Sequence, residues 1–304
     1  MKKKIIIVGG TGFLGFHLAK YCLKKNWKVL SISRNKPKKI RFLKNVRYLI
    51  ADIGNKKKLF SKLKNHSNAD YVVNFSGEVN HSKSKEVFKS HYVGLKNLAE
   101  FFLNKPIKKF IQTGSSLEYG NKVSPHKEDS IGKPKSNYAR AKFLATKNLI
   151  KLNKTNKFPV VILRPYQIYG PSQDVNRLIP LVIRSCLKNK KFPCSDGRQY
   201  RDFLYIEDFI KFVIKILTVK KFNGEIFNIG YGKASKVKNI IGTIKKLIKQ
   251  GLPEFGKIKL RSEENIMTYP SIGKAIRLTG WKPKINFNKG VKKTINYYKN
   301  NLIY

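Results

Sequence analysis

Ile5 to Gly15 reads Ile-Ile-Ile-Val-Gly-Gly-Thr-Gly-Phe-Leu-Gly, a β-branched run, a glycine turn and the start of an apolar-periodic segment. Few local patterns restrict a fold as tightly. Gly10, Gly12 and Gly15 fit GxGxxG, and Gly9, Gly12 and Gly15 fit GxxGxxG. Glycines spaced this way permit a tight turn, let backbone amides approach a pyrophosphate, and let the following helix pack closely on its strand. The motif alone is weak, and its place between a first strand and an amphipathic helix is what gives it weight. Leu14, Leu18, Tyr21 and Cys22 lie on one face of that helix.

The same alternation of short β-branched runs and amphipathic helices continues to about Val161, which predicts a parallel sheet wound by crossover helices. Strands are expected at Ile5–Val8, Lys28–Ser33, Val46–Ile50, Tyr71–Asn74, Lys109–Thr113 and Val160–Leu163, with helices starting near Gly12, Lys56, Ser84 and Asn137. After Arg164-Pro165 the pattern loosens into short helices, loops and occasional strands, with a clear apolar stripe at Val237, Ile240, Ile241, Ile244, Leu247 and Ile248. The expected fold class is α/β, a Rossmann-type doubly wound parallel sheet over residues 1–165 with a smaller C-terminal lobe over residues 166–304. The first part should bind a dinucleotide and the second mainly substrate.

The net charge of +48 comes from 65 Lys and Arg against 17 Asp and Glu. Taken alone it points to nucleic acid or an anionic membrane. The basic residues are mostly Lys and spread along the chain, with no aromatic-interleaved basic motif, zinc knuckle or helix-turn-helix signature. Lysine-coated helices are the simpler reading, and no nucleic-acid partner is expected. MKKKIIIV resembles a signal peptide, but its apolar run stops at Gly9, and no stretch approaches the length of a membrane helix. Cys22, Cys186 and Cys194 form no CxxC pair and the five histidines no metal-ligand spacing, so a cytoplasmic protein with buried thiols and no metal is expected.

A dinucleotide fold that prefers NAD usually carries an acid at the end of the second strand. Here the turn reads Ser31-Ile32-Ser33-Arg34-Asn35. Arg34 can pair with the additional phosphate of NADP, which an acid would repel, although on so basic a chain it can also be ordinary solvated charge. NADP(H) is therefore the expected cofactor, with NAD(H) possible. Asp52 is a candidate contact to the adenine.

Tyr138 and Lys142 stand four residues apart on one helical face, where the cation lowers the phenol's pKa and fits it for proton transfer to or from a carbonyl. The pair follows Thr113-Gly114-Ser115-Ser116 at the end of a predicted strand, which can supply a polarising hydroxyl. With Ser115-Ser116-Leu117-Glu118-Tyr119-Gly120, Arg164-Pro165, Tyr169-Gly170-Pro171, Asn176-Arg177, the run Arg201 to Asp208, Phe227-Asn228-Ile229-Gly230 and Gly280-Trp281-Lys282-Pro283, the chain resembles the extended short-chain dehydrogenase/reductase family, also described as the NAD-dependent epimerase/dehydratase family, over nearly its whole length.

The resemblance implies that Ser115, Tyr138 and Lys142 are catalytic. It implies cofactor contacts at Gly9, Thr11, Gly12, Phe13, Leu14, Gly15, Ser33, Arg34, Asp52, Ile53, Tyr138, Lys142 and Pro165. Gln167, Asn176, Arg201 and Arg261 correspond to positions that hold the nucleotide-diphosphate sugar, unless Arg201 is instead paired with Asp202 or Asp208. It also implies a homodimer formed by helices around Ser84–Leu103 and Asn137–Leu152. Two departures stand out. The family's usual Asn before the fifth strand is His91, and Leu117 occupies the place where sugar 4,6-dehydratases carry an acid, Glu118 being one place out of register. A dehydratase is disfavoured accordingly. The leading expectation is an NADPH-dependent 4-ketoreductase of a nucleotide-linked deoxysugar, the alternative an NAD-dependent 4-epimerase. A non-catalytic dinucleotide sensor or nucleic-acid-binding protein has no need of the intact Ser115, Tyr138 and Lys142.

Overall fold

In the computed structural model, residues 2–78, 83–260 and 264–301 are described. Two compact units share the chain. The first comprises residues 1–120, 128–165 and 210–227, and the second residues 121–127, 166–209 and 228–304.

The first unit opens with β1 (Lys4–Val8), α1 (Phe13–Lys24), β2 (Lys28–Ser33), β3 (Val46–Ile50), α2 (Lys56–Leu63) and β4 (Tyr71–Asn74). It continues with α3 (Ser84–Phe88), a π-helical turn over Lys89–Val93, α4 (Gly94–Phe102), β5 (Lys109–Thr113), α5 (Asn137–Asn156) and β6 (Val160–Pro165). The strands run β3-β2-β1-β4-β5-β6 and are parallel in every one of these pairs, with Ile5 beside Val29 and Tyr71, and Val73 beside Ile111. A seventh strand, at Ile226–Ile229, lies beyond β6. This is the doubly wound order, whose direction reverses between β1 and β4, and ligands of such sheets bind beyond the carboxyl ends of the strands at that reversal.

Because the sheet is covered on both faces, its strands carry continuous apolar runs. Ile5, Ile6, Ile7 and Val8 are all buried. Ile6, Val8, Val72 and Phe110 pack with Leu59 and Leu63 of α2, Leu95, Leu98 and Phe102 of α4 and Ala145 and Leu149 of α5 in one core cluster. Each large side chain there contributes about 1.5–3 kcal/mol. Small residues Ala139, Ala141 and Ala145 occupy the buried stripe of α5, and Lys142 lies within the same stripe.

The second unit contains β7 (Gln167–Tyr169), α6 (Leu178–Leu187), β8 (Lys191–Pro193) and β9 (Tyr200–Tyr205), followed by the start of α7 (Ile206–Thr218). After β10, the strand at Ile226–Ile229, come β11 (Ala234–Lys236), α8 (Val237–Ile248), β12 (Leu252–Glu254), β13 (Met267–Thr268), α9 (Gly273–Thr279) and α10 (Phe287–Asn300). β9 is its central strand, pairing with β7, β11 and β13, while α6, α8 and α10 pack on one another. Two fully buried carboxylates tie its loops. Asp202 accepts the backbone N–H groups of Tyr231, Gly232 and Lys233, and Asp208 Oδ2 accepts those of Lys284 and Ile285 while its carbonyl receives the Trp281 indole.

These bonds give Asp202 and Asp208 a structural use. Burial pushes Asp202 up to about 6 against the pull of its three N–H donors. The three cysteines are buried free thiols. Among the described residues no helix is long and apolar enough to cross a membrane, and no group of His, Cys, Asp and Glu is arranged to hold a metal ion.

Candidate functional site

The glycine turn takes its shape from contacts that exclude side chains. Gly9 has φ of +80°, and a Cβ there would stand 2.8 Å from the Ser76 nitrogen in the loop after β4. A Cβ on Gly15 would stand 2.4 Å from the Gly9 carbonyl oxygen, which is how the first turn of α1 comes so close to β1. Gly12 is the N-cap of α1 and offers no side-chain cap, and the first turn contains no acid. The leading amides of a helix have no intrahelical acceptor, so this uncapped terminus is a donor set for a diphosphate. Thr11 N–H is held by Ser33 Oγ at 3.3 Å, tying the turn to the end of β2. The residues present fit a dinucleotide.

At the other expected cofactor positions, Arg34 lies 2.9 Å from the Glu78 carboxylate, an acid that spacing alone did not single out because it follows β4 rather than β2. Asp52 accepts from Gly54 N–H and faces the Lys89 ammonium at 3.5 Å. Ile53 is buried, and Phe13, Leu14 and Pro165 are partly exposed.

Ser115, Tyr138 and Lys142 all lie in the first unit. Ser115 is the N-cap of a short 3₁₀ turn over Ser116–Tyr119, its Oγ accepting from Leu117 N–H at 3.2 Å, which leaves the hydroxyl proton for donation. Ser136 caps α5 through Ala139 N–H and so sets Tyr138 in the first helical turn. One turn on, Lys142 places its Nζ 5.9 Å from the centre of the Tyr138 ring and donates to the Thr113 carbonyl at 2.7 Å. Burial lowers Lys142 to about 8, against an opposing attraction from Glu118. The ammonium that remains at neutral pH is thus a poorly solvated charge beside a phenol.

Glu118 is 1% exposed and faces away from any proton-shuttle role. Its Oε1 accepts Ser115 N–H at 2.7 Å, and its Oε2 accepts from Thr146 Oγ1 and from Arg164 Nε and Nη2. Leu117, at the position of the dehydratase acid, is 42% exposed.

In the second unit Gln167 and Asn176 are exposed. Arg201 bonds neither Asp202 nor Asp208, correcting the pairing considered from the sequence. Both acids are occupied by backbone N–H groups, and Arg201 pairs with Glu264 at 2.5 Å and donates to the Tyr200 and Ile266 carbonyls. Arg261 lies outside the described residues.

Lys142→Met is expected to stabilise the cofactor-free protein at pH 7 by about 1–3 kcal/mol, because it removes a buried cation at the loss of one hydrogen bond. With the folded pKa at about 8, below the ordinary lysine value of 10.5, the native state sheds its proton first as pH rises. The wild type should therefore recover stability between those two values and the difference should close. Urea midpoints at pH 7 and pH 10 measure this, and a variant less stable than wild type at pH 7 contradicts it.

A model of the NAD dependent epimerase/dehydratase family matches residues 5–230. The mouse dTDP-D-glucose 4,6-dehydratase is 28% identical, with 98% of this chain and 89% of that protein aligned. A putative UDP-glucose 4-epimerase of Methanocaldococcus jannaschii is 29% identical over 98% of this chain and 99% of its own length. The structure of UDP-glucuronic acid 4-epimerase from Bacillus cereus, in complex with UDP-glucuronic acid and NAD, superposes with a TM-score of 0.88 at 26% identity, covering 98% of this chain and 99% of that one.

Proposed function

Since the chain belongs to the NAD-dependent epimerase/dehydratase family, we propose that it is a 4-epimerase of a nucleoside-diphosphate sugar that works with retained NAD. The observation that carries this reading is the Arg34–Glu78 pair. The guanidinium that could attract the additional phosphate of NADP is already neutralised, and the carboxylate beside it repels that phosphate. Absence of an acid at Leu117, with Glu118 committed to Arg164, argues against elimination of water, so the sugar's redox chemistry stands without dehydration.

In this reading the uncapped start of α1 binds the dinucleotide diphosphate, and Ser33 and Asp52 face its adenosine end. When bound, the nicotinamide supplies the hydride acceptor and donor. Tyr138 takes the proton of the sugar hydroxyl as it is oxidised and returns a proton on reduction from the other face. Ser115 donates to the same oxygen, and Lys142 holds the nicotinamide ribose and keeps the phenol acidic. Gln167, Asn176, Arg201 and Arg261 belong to the nucleoside-diphosphate side. The proposed homodimer uses the helices around Ser84–Leu103 and Asn137–Leu152. It would cover Phe88 and Leu144, which are 40% and 39% exposed on those helices, and solution mass at moderate salt checks it.

Arg34 itself, at the end of β2 with no acid beside it in sequence, favours a second reading, the NADPH-dependent 4-ketoreductase. One pair of assays separates them. Denatured protein should release NAD, and UDP-, dTDP-, CDP- or GDP-hexoses should interconvert with their 4-epimers with no net change in nicotinamide absorbance. Oxidation of added NADPH by a 4-keto-6-deoxy sugar nucleotide, without interconversion, overturns the epimerase and installs the reductase.

A further inference from the structure

The helical segment from Ser84 to Phe102 is interrupted by the π turn at Lys89–Val93, which displaces the side chains it carries from the regular α-helical register. That turn delivers His91 into the interior, 6% exposed, with its ring perpendicular to Tyr138 and the two centroids 4.9 Å apart. Its Nε2 lies 3.1 Å from the Glu78 carbonyl oxygen. A carbonyl only accepts, so Nε2 carries the proton of the neutral ring.

The preceding residue of the same turn, Ser90, accepts the Glu78 N–H on its Oγ at 2.9 Å. Both main-chain polar groups of Glu78 are thus clamped by consecutive residues, and its side chain is delivered onto Arg34. Gly77 makes the arrangement possible. Its φ is +150°, and any Cβ there would lie 1.7 Å from His91 Cε1.

We infer that His91 is a positioning residue that governs the choice between NAD and NADP from the π turn between α3 and α4, by holding Glu78 against Arg34 while its ring backs Tyr138. The inference rests on the dinucleotide reading above and deepens it. Removing the imidazole frees the Glu78 carbonyl and leaves only the Ser90 tie on its N–H, so the carboxylate is held less firmly and Arg34 becomes available to a 2′-phosphate.

The test is equilibrium binding of NADH and NADPH, read by nicotinamide fluorescence, to the full chain and its variants. Glu78→Gln should move the affinity ratio toward NADPH by about five- to tenfold. His91→Ala should move it the same way by about threefold, and in a Glu78→Gln background should move it no further. His91→Gln, whose amide can still donate to the carbonyl, should restore the wild-type ratio even where stability differs. An unchanged ratio in His91→Ala beside a shifted one in Glu78→Gln overturns the inference, as does an equal His91→Ala shift in both backgrounds. Failure of the unmutated protein to bind either dinucleotide overturns the dinucleotide reading, and the inference falls with it.

Discussion

Tyr138→Phe is expected to lower turnover by about 10²–10⁴-fold and to leave dinucleotide affinity nearly unchanged, if Tyr138 is the proton donor proposed above. The substitution removes one oxygen from a ring whose other contacts persist, since His91 stands perpendicular to it and Lys142 Nζ sits 5.9 Å from its centre. Ser115 and Lys142 are both engaged elsewhere. Ser115 Oγ is oriented by Leu117 N–H, and the Lys142 ammonium is bonded to the Thr113 carbonyl. In the proposed reaction both would hold a substrate oxygen or a ribose rather than exchange a proton with a sugar alcohol. Single-turnover rates beside NADH binding separate the two effects. A variant that keeps more than about a tenth of wild-type turnover shows that the proton travels by another route.

Much of the first unit is legible because its strands are β-branched runs bounded by glycines and turns. Lys28–Ser33, Val46–Ile50, Tyr71–Asn74 and Lys109–Thr113 have the same limits in sequence and structure, while β6 extends to Pro165 beyond the apolar run that marks it. The π turn is different. It shifts a helix by one residue without any change of composition, so nothing in Lys89–Val93 announces that His91 will face Tyr138. Around the longer β9 the second unit builds its sheet from strands of two or three residues, such as Gln167–Tyr169 and Ala234–Lys236, too short for alternation to register. Charged partners are the least legible of all. Arg34 and Glu78 are 44 residues apart and Arg201 and Glu264 are 63 apart, and on so basic a chain sequence spacing cannot say which Lys or Arg each scarce acid selects.

Glu118 and Arg164 show how much can rest on such a choice. Arg164→Met is expected to destabilise the first unit by about 3–5 kcal/mol, because it leaves a carboxylate with no exposed side-chain surface facing a guanidinium that is gone. Arg164 donates from Nε and Nη2 to one oxygen of Glu118 and lies over the Tyr119 ring at 4.6 Å, so packing is lost with the charge. Adding Glu118→Leu to Arg164→Met removes the stranded charge and should recover most of that loss, as apolar replacement of a buried pair commonly does. Activity should not recover with it. Glu118 Oε1 fixes the main chain of Ser115, and the Glu118 charge holds up the pKa of buried Lys142, which already stands near 8. The double variant should therefore be folded and slow, with the Lys142 proton lost at lower pH than in wild type. Urea midpoints of the two singles and the double, set beside their turnover, form the cycle. A cost below about 1 kcal/mol for Arg164→Met would show that the pair is no structural tie, and a double variant with full activity would show that it does not support Ser115 and Lys142.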